Sequence, residues 1–374
     1  MGLKANSHVG GNDSEDKIMT CQMVYYNGNC LNTKKPFAQP CQLCIERCPH
    51  QAISEYRQLD AKQCTECGVC MAVCPSDGFA DRTMDNLHDF LIETEKIVLN
   101  CPKARPLGFE IPCLGIFDRD SWMTLAILAK EKSVTIMTGV CSDCDDRLAC
   151  ATSVQIFKQV HLDWPEHPLV HIQVHSDEGS AIEPEPAVVA PLHLKRKTKS
   201  GWRQMSKEKM EEWLPSLAGD DIYPIPKSRQ WLIEALGAAS EEKIPFRALT
   251  VSDSCTSCGV CAAICPQGAL QKREEMNPDP STEELNTEDK IQKLRLILEP
   301  QKCVHCQRCV ETCPPKALSF KLKSLSHRLL TGKILIHEGQ PGYCIRCGKR
   351  IFDKAELCLV CATSNPDGRG FFSN

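Results

Sequence analysis

Twenty-six of the 374 residues are cysteine, and their spacing constrains this chain more tightly than any hydrophobic pattern. Fifteen fall into four related segments. Three are complete: Cys64, Cys67, Cys70 and Cys74-Pro75; Cys255, Cys258, Cys261 and Cys265-Pro266; Cys303, Cys306, Cys309 and Cys313-Pro314. The fourth, Cys41, Cys44 and Cys48-Pro49, has Ala38 where a leading cysteine would stand. Three segments then continue with Ala52-Ile53, Ala269-Leu270 and Ala317-Leu318. The segments pair up, which predicts two repeated modules, at 20–90 and 246–330. The remaining cysteines are a C-terminal set (Cys344, Cys347, Cys358, Cys361), a middle set (Cys101, Cys113, Cys141, Cys144, Cys150) and the isolated Cys21 and Cys30.

Such regular clusters signify disulfides in an oxidising compartment and metal ligation in a reducing one. The N-terminus lacks the apolar core of a secretory signal, and no run approaches the ~20 apolar residues of a membrane-spanning helix. The expectation is therefore a cytoplasmic, metal-ligating chain without a transmembrane segment of its own, free to dock on a membrane-bound partner. The C-x2-C-x2-C-x3-C-P spacing suits cubane iron–sulfur clusters, in which three thiolates on one tight loop wrap three corners. The fourth cysteine opens a helix, where the following proline loses no hydrogen bond. Gly68 and Gly259 let the loop backbone pass close to a cluster. Zinc sites do not need three cysteines in one seven-residue loop.

On these motifs both modules resemble bacterial-type 2[4Fe–4S] ferredoxins. Crossed ligation, as that resemblance implies, assigns Cys255, Cys258, Cys261 and Cys313 to one cluster and Cys265, Cys303, Cys306 and Cys309 to its neighbour. In the first module Cys48, Cys64, Cys67 and Cys70 make a complete set. Cys41, Cys44 and Cys74 lack a fourth ligand at Ala38; either Cys30, favoured over Cys21, completes that site or it holds a [3Fe–4S] cluster. The expectation is three or four [4Fe–4S] clusters, with about 16 iron atoms if all four form. His50 and His305 sit beside ligands, but the cysteine sets do not need them, so they read as neighbours that tune a cluster or as surface groups.

Cys344-Ile-Arg-Cys347-Gly-Lys and Cys358-Leu-Val-Cys361 resemble the two knuckles of a short zinc ribbon over 340–365, with a rubredoxin-like iron as the alternative. Between the modules, Lys96–Asn100 and Val134–Met137 read as strands, Glu110–Cys113 as a strand end and Ser121–Lys132 as a helix, predicting a small α/β domain over 94–176. Ile111-Pro-Cys113-Leu-Gly and Gly139-Val-Cys141-Ser-Asp-Cys144 are similar to the [2Fe–2S] small subunit of methanogen hydrogenase–heterodisulfide reductase complexes. That resemblance implies a cluster on Cys101, Cys113, Cys141 and Cys144. The spacing departs around the last pair, and an ordinary α/β domain with buried or zinc-binding cysteines stays open beside it. Residues 177–245 read as linker plus two helices, Trp202–Leu214 and Ser228–Ala239, with Trp202, Trp213, Trp231 and Leu236 as packing residues. The basic run Lys195–Lys199 reads as solvated linker, and 273–290 as a mobile insertion.

The fold expectation is thus α+β: two ferredoxin-like dicluster modules flanking a small α/β domain, with a C-terminal zinc ribbon. Forty-four basic against 48 acidic residues exclude a general nucleic-acid binder. There is no G-x-G-x-x-G opening a βαβ unit, no Walker A loop and no sign of a catalytic Ser-His-Asp set. The function expected is electron transfer to or from a partner oxidoreductase subunit or soluble carrier, without catalysis by this chain alone. The alternative is an iron–sulfur and zinc assembly or maturation scaffold for an oxidoreductase.

Overall fold

Each complete cysteine loop ends in a five-residue helix because the residue before it turns left-handed. Gly68 (φ 75°) precedes the helix Val69–Val73 and Gly259 (φ 78°) precedes the matching helix of the second module, while Gln307 takes the same turn at φ 62° in the last repeat. A second left-handed residue follows every Cys-Pro: Gln51, Asp77, Gly268 and Lys316. The backbone repeat therefore extends to the segment that lacks its leading cysteine. In a computed structural model, residues 23–174 and 225–361 are described, apart from 36, 82, 105, 167–169, 277–290, 353–355 and 359. Cys21, Lys195–Lys199 and the Trp202–Leu214 segment lie outside the described residues.

In the first module β1 (Val24–Tyr25) pairs antiparallel with β2 (Phe79–Ala80), closing the loop ends on each other. Between them lie α1 (Leu31–Lys34), α2 (Leu43–Glu46) and α3 (Val69–Val73), and α4 (Thr83–Glu93) leads out.

The middle domain is a four-stranded parallel sheet ordered β4–β3–β5–β6, from β3 (Lys96–Asn100), β4 (Phe109–Glu110), β5 (Ser133–Thr138) and β6 (His171–Val174). Asp118 caps α5 (Arg119–Leu128) by accepting from the Ser121 backbone N–H at 2.8 Å. The expected β–α–β unit is present, but α6 (Arg147–Asp163) and β6 extend it further than the strand and helix signals indicated. Parallel strands put all their C-terminal ends on one edge, so Cys101, Cys113 and Cys141 meet there.

Helix α7 (Lys227–Leu236) packs on α5, with Trp231 and Leu232 buried and Trp231 stacked on His88 at 5.3 Å. The second module begins at β7 (Lys243–Val251), which pairs along its whole length with β10 (Leu318–Ser326). Between them come α8 (Val260–Ile264), β8 (Leu270–Met276), β9 (Ile291–Leu298) and α9 (Arg308–Thr312). The expected insertion at 273–290 needs correction at its start. Arg273–Met276 continue β8 because their backbone pairs with β9 as far as Met276 opposite Ile291, with Glu275 bridged to Arg295 at 2.9 Å; 277–290 lie outside the described residues. After α10 (His327–Thr331), β11 (Ile334–Gly339) adds to β9, and β12 (Gly342–Tyr343) with β13 (Arg350–Ile351) forms the C-terminal hairpin. One hydrophobic core runs from Cys67 and Val69 through the parallel sheet and α7 to Phe246 and Leu325. The modules are thereby fixed to the middle domain by burial. No helix among the described residues is long and apolar enough to cross a membrane.

Candidate metal centres

In the second module two small cavities each enclose four sulfurs. Cys255, Cys258, Cys261 and Cys313 line one, with Leu294, Leu296 and Leu318. Cys265, Cys303, Cys306 and Cys309 line the other, with Leu249, Leu298 and Phe320. The fourth cysteine of each repeat crosses over because its helix points away from its own loop. Burial, together with the neighbouring Cys255 and Cys258, pushes the Cys261 thiol up to about 12, and burial does the same to Cys303. A thiol so disfavoured as thiolate ionises there only against a positive group, and an all-sulfur donor set of this kind suits iron. The left-handed residue after three of the Cys-Pro pairs turns a backbone N–H onto sulfur: Ala317 onto Cys313 at 3.3 Å, Ala52 onto Cys48 at 3.3 Å, Gly78 onto Cys74 at 3.1 Å. Cysteine spacing alone did not announce these bonds.

In the first module Cys48, Cys64, Cys67 and Cys70 line an equivalent cavity with Met23, Ile53 and Leu59. At the incomplete site Ala38 is exposed. Burial first, then Cys74, Cys41 and Cys30 around it, push Cys44 up to about 11. A methyl placed on Gly78 would lie 3.1 Å from the Cys74 sulfur and 4.0 Å from the Cys30 Cα. The structure thus brings Cys30 to Cys41, Cys44 and Cys74, by starting α1 immediately after it.

Cys101, Cys113, Cys141, Cys144 and Cys150 line a cavity of about 300 Å³ at the C-terminal edge of the parallel sheet. The chain runs from β3 to β4 on one side and returns to β5 on the other, so the cavity lies at the topological switch point, where open α/β sheets bind ligands. Thr65, from the first module, forms part of its wall. Burial, then Asp146, Cys67 and Cys141, push Cys113 up to about 12.

Polar side chains lock these centres together, and they were not apparent from the sequence because their partners are distant in it. Asp146 accepts from Thr65 at 2.6 Å and pairs with His50 at 2.8 Å, joining the middle cavity to the loops of Cys48 and Cys64. Cys70 lies near Cys44 within the first module, as Cys309 lies near Cys261 within the second. Buried Arg308, between Cys306 and Cys309, donates to Leu31 O (3.1 Å), Lys35 O (2.8 Å) and Asn32 Oδ1 (3.1 Å). Asn32 in turn makes a two-way bond with the Cys41 backbone. Lys34 adds a bond to Gln267, and Lys35 one to Ala263 O at 2.8 Å. Buried Arg229 bonds Asp120 at 2.6 Å and reaches Pro300 O at 3.1 Å, tying α5 to the Cys303 loop. His305 is held neutral: burial, then Arg229, lower it to about 4, and Nε2 donates to Arg247 O at 2.8 Å.

At the C-terminus the sulfurs of Cys344, Cys347, Cys358 and Cys361 lie within 4.8 Å of one another, with Cys347 and Cys358 at 3.7 Å. A tetrahedron with metal–sulfur bonds of ~2.3 Å has edges of about 3.8 Å, so the set has the dimensions of a four-sulfur metal site. Backbone N–H groups of Cys358, Cys347 and Arg346 converge on Cys344 and lower its thiol to about 6. His337 Nε2 lies 3.0 Å from Ser257 Oγ, placing the strand before this hairpin against the Cys255–Cys258 loop.

Residues 254–317 match the 4Fe–4S dicluster domain family. The chain is 28% identical over 86 residues to polyferredoxin protein MvhB of Methanothermus fervidus, covering 18% of this chain and 21% of that one. It is 26% identical over 132 residues to a ferredoxin:CoB-CoM heterodisulfide reductase subunit of Methanosarcina acetivorans, covering 31% of this chain and 16% of that one. It thus spans about a fifth or less of the length of these relatives. The chain is a ferredoxin-like iron–sulfur protein whose 4Fe–4S dicluster domain occupies residues 254–317.

Proposed function

We propose that the chain is a multi-cluster relay that passes electrons to or from a partner oxidoreductase subunit or a soluble carrier in the cytoplasm. The observation that carries this reading is the unbroken sequence of cysteine groups. It runs from the middle cavity through Cys48/Cys64/Cys67/Cys70 and Cys30/Cys41/Cys44/Cys74 to Cys265/Cys303/Cys306/Cys309 and Cys255/Cys258/Cys261/Cys313, each group joined to the next by a contact described above. In this reading the four groups of the two modules hold [4Fe–4S] clusters, the middle cysteines a [2Fe–2S] cluster, and Cys344, Cys347, Cys358 and Cys361 a structural zinc.

A bound iron–sulfur cluster supplies a one-electron site whose potential follows charge, hydrogen bonds to sulfur and exposure. The protein sets those quantities. Ala52, Gly78 and Ala317 aim N–H groups at cysteine sulfur. Leu294, Leu296 and Leu298 exclude water from the second module's cavities. Arg308 and Arg229 hold neighbouring groups at a fixed separation. The relatives' names point to the partner class, an oxidoreductase assembly.

The assembly-scaffold alternative draws on the hairpin, whose Tyr343 and Ile345 are 66% and 74% exposed. Stopped-flow mixing of the reduced chain with a co-purifying oxidoreductase separates the two. Rapid reoxidation on mixing is expected of the relay. Tight binding that persists after the clusters are removed, with no electron transfer, would overturn it in favour of the scaffold.

A further inference from the structure

Five thiols line the middle cavity, and a [2Fe–2S] cluster takes four. We infer that its ligands are Cys101, Cys113, Cys141 and Cys150, and that Cys144, despite standing in a C-x2-C pair with Cys141, is not one of them. This inference rests on the reading of that cavity as a cluster site.

Distance favours Cys150. Its sulfur lies 3.3 Å from that of Cys141. Two thiolates on one tetrahedral metal stand about 3.8 Å apart, so the pair needs to open by only about half an ångström to share an iron. The other thiols pressing on Cys150 are Cys113 and Cys101, the remaining members of the set.

The scaffold favours it too. Cys150 sits in the first turn of α6, is 7% exposed, and its N–H bonds Asp146 O at 3.1 Å, so a 17-residue helix fixes its position. That helix packs tightly on the turn after Cys113: a methyl on Gly115 would stand 2.9 Å from the Ala149 side chain and 3.0 Å from Cys67 O. The Gly115–Ala149 contact draws Cys150 towards Cys113 and sets both beside the Cys67 loop. Cys144 instead ends a short 3-10 turn, is half-buried and is followed by exposed Asp145. A C-x2-C pair is a strong sequence signal, but here the second cysteine of the pair sits at the end of a short turn rather than inside a helix.

The test uses the full-length chain purified without air, as wild type, Cys144→Ala and Cys150→Ala. Iron content, visible absorption and electron paramagnetic resonance of the reduced protein are compared, and the wild type is alkylated with iodoacetamide and mapped by mass spectrometry. Cys150→Ala is expected to lose about two iron atoms and the [2Fe–2S] signal, while Cys144→Ala keeps both. In the wild type Cys144 is expected to be labelled and Cys150 protected. Loss of the signal in Cys144→Ala, with or without loss in Cys150→Ala, overturns the assignment. If the wild type and both variants alike lack the [2Fe–2S] signal, the cavity holds no cluster and the underlying reading falls with it; if all three show it, Cys150 is not required and the assignment is overturned. Should Cys150→Ala fail to fold, the wild-type labelling decides: a labelled Cys150 or a protected Cys144 overturns the inference.

Discussion

Arg308→Ala should uncouple the two modules without emptying either. Arg308 is 3% exposed, donates three hydrogen bonds across the module boundary, and holds its guanidinium 5.0 Å from the centre of the Phe37 ring. Truncation leaves the Lys35 carbonyl facing a void without its donor, at roughly 1–3 kcal/mol, and takes from Leu31 O one of two donors, the Lys35 N–H remaining at 3.3 Å. The lost cation–π contact adds about 0.5–2 kcal/mol. Neighbouring terms are not additive, so a loss of about 3–5 kcal/mol is expected at this boundary. Lysine cannot reproduce the planar fork, so Arg308→Lys should recover less than half of it. The assay is denaturant unfolding followed by circular dichroism in the cluster bands, with electron paramagnetic resonance of the reduced protein. The variant should keep its iron, unfold at lower denaturant in separated steps, and lose the magnetic interaction between clusters of different modules. An unchanged midpoint with an unchanged interaction would refute this reasoning. So would selective loss of iron from the second module, because Arg308 would then be supporting its own ligand loop rather than the junction.

Three further outcomes follow from particular side chains. Cys30→Ala should convert the site of Cys41, Cys44 and Cys74 to a three-iron cluster, seen as about one iron fewer per chain and a new signal in the oxidised protein; unchanged iron and spectra would remove Cys30 from the site. Gly68→Ala should destabilise by about 3 kcal/mol in chemical unfolding, since a methyl there stands 2.2 Å from Ile116 Cγ2 and the residue is left-handed at φ 75°; Ile116→Ala in the same chain should relieve part of it. Asp118 is held up to about 6 by burial and then by Asp120, so the folded state binds its proton more readily than the unfolded state. Its contribution is therefore greatest below the ordinary carboxylate range and is lost as pH rises through about 6. Asp118→Asn keeps a capping oxygen, and its stability relative to wild type should rise by about 1 kcal/mol between pH 5 and pH 7; a constant difference would contradict the shift.

What the sequence made legible divides along contact range. Three of the four cysteines around each cavity of the second module lie within seven residues, so spacing alone grouped them. The edge of the parallel sheet was legible for the same reason, since Cys101, Cys113 and Cys141 each follow a strand signal. Cys150 was passed over because it sits inside a helix rather than after a strand signal, and two of its three partners, Cys113 and Cys101, come more than thirty residues earlier, while the C-x2-C pair drew attention to Cys144. Asp146, Arg229 and Arg308 carry no motif at all. Their partners lie 71 to 277 residues away, and only the fold turns them from surface charges into the fastenings between centres. The left-handed residues after Cys48-Pro and Cys313-Pro were equally silent, because Gln51 and Lys316 are not residues that announce a positive φ, whereas Asp77 and above all Gly268 are of types that adopt it readily.

Iron and acid-labile sulfide, counted in the chain purified without air and resolved by Mössbauer spectroscopy through a stepwise reductive titration, address the central claim directly. About 18 iron atoms are expected, about 16 in four-iron sites and about two in a separate class, each site taking up one electron in turn. A colourless protein holding zinc alone, or iron confined to residues 254–317, would contradict it.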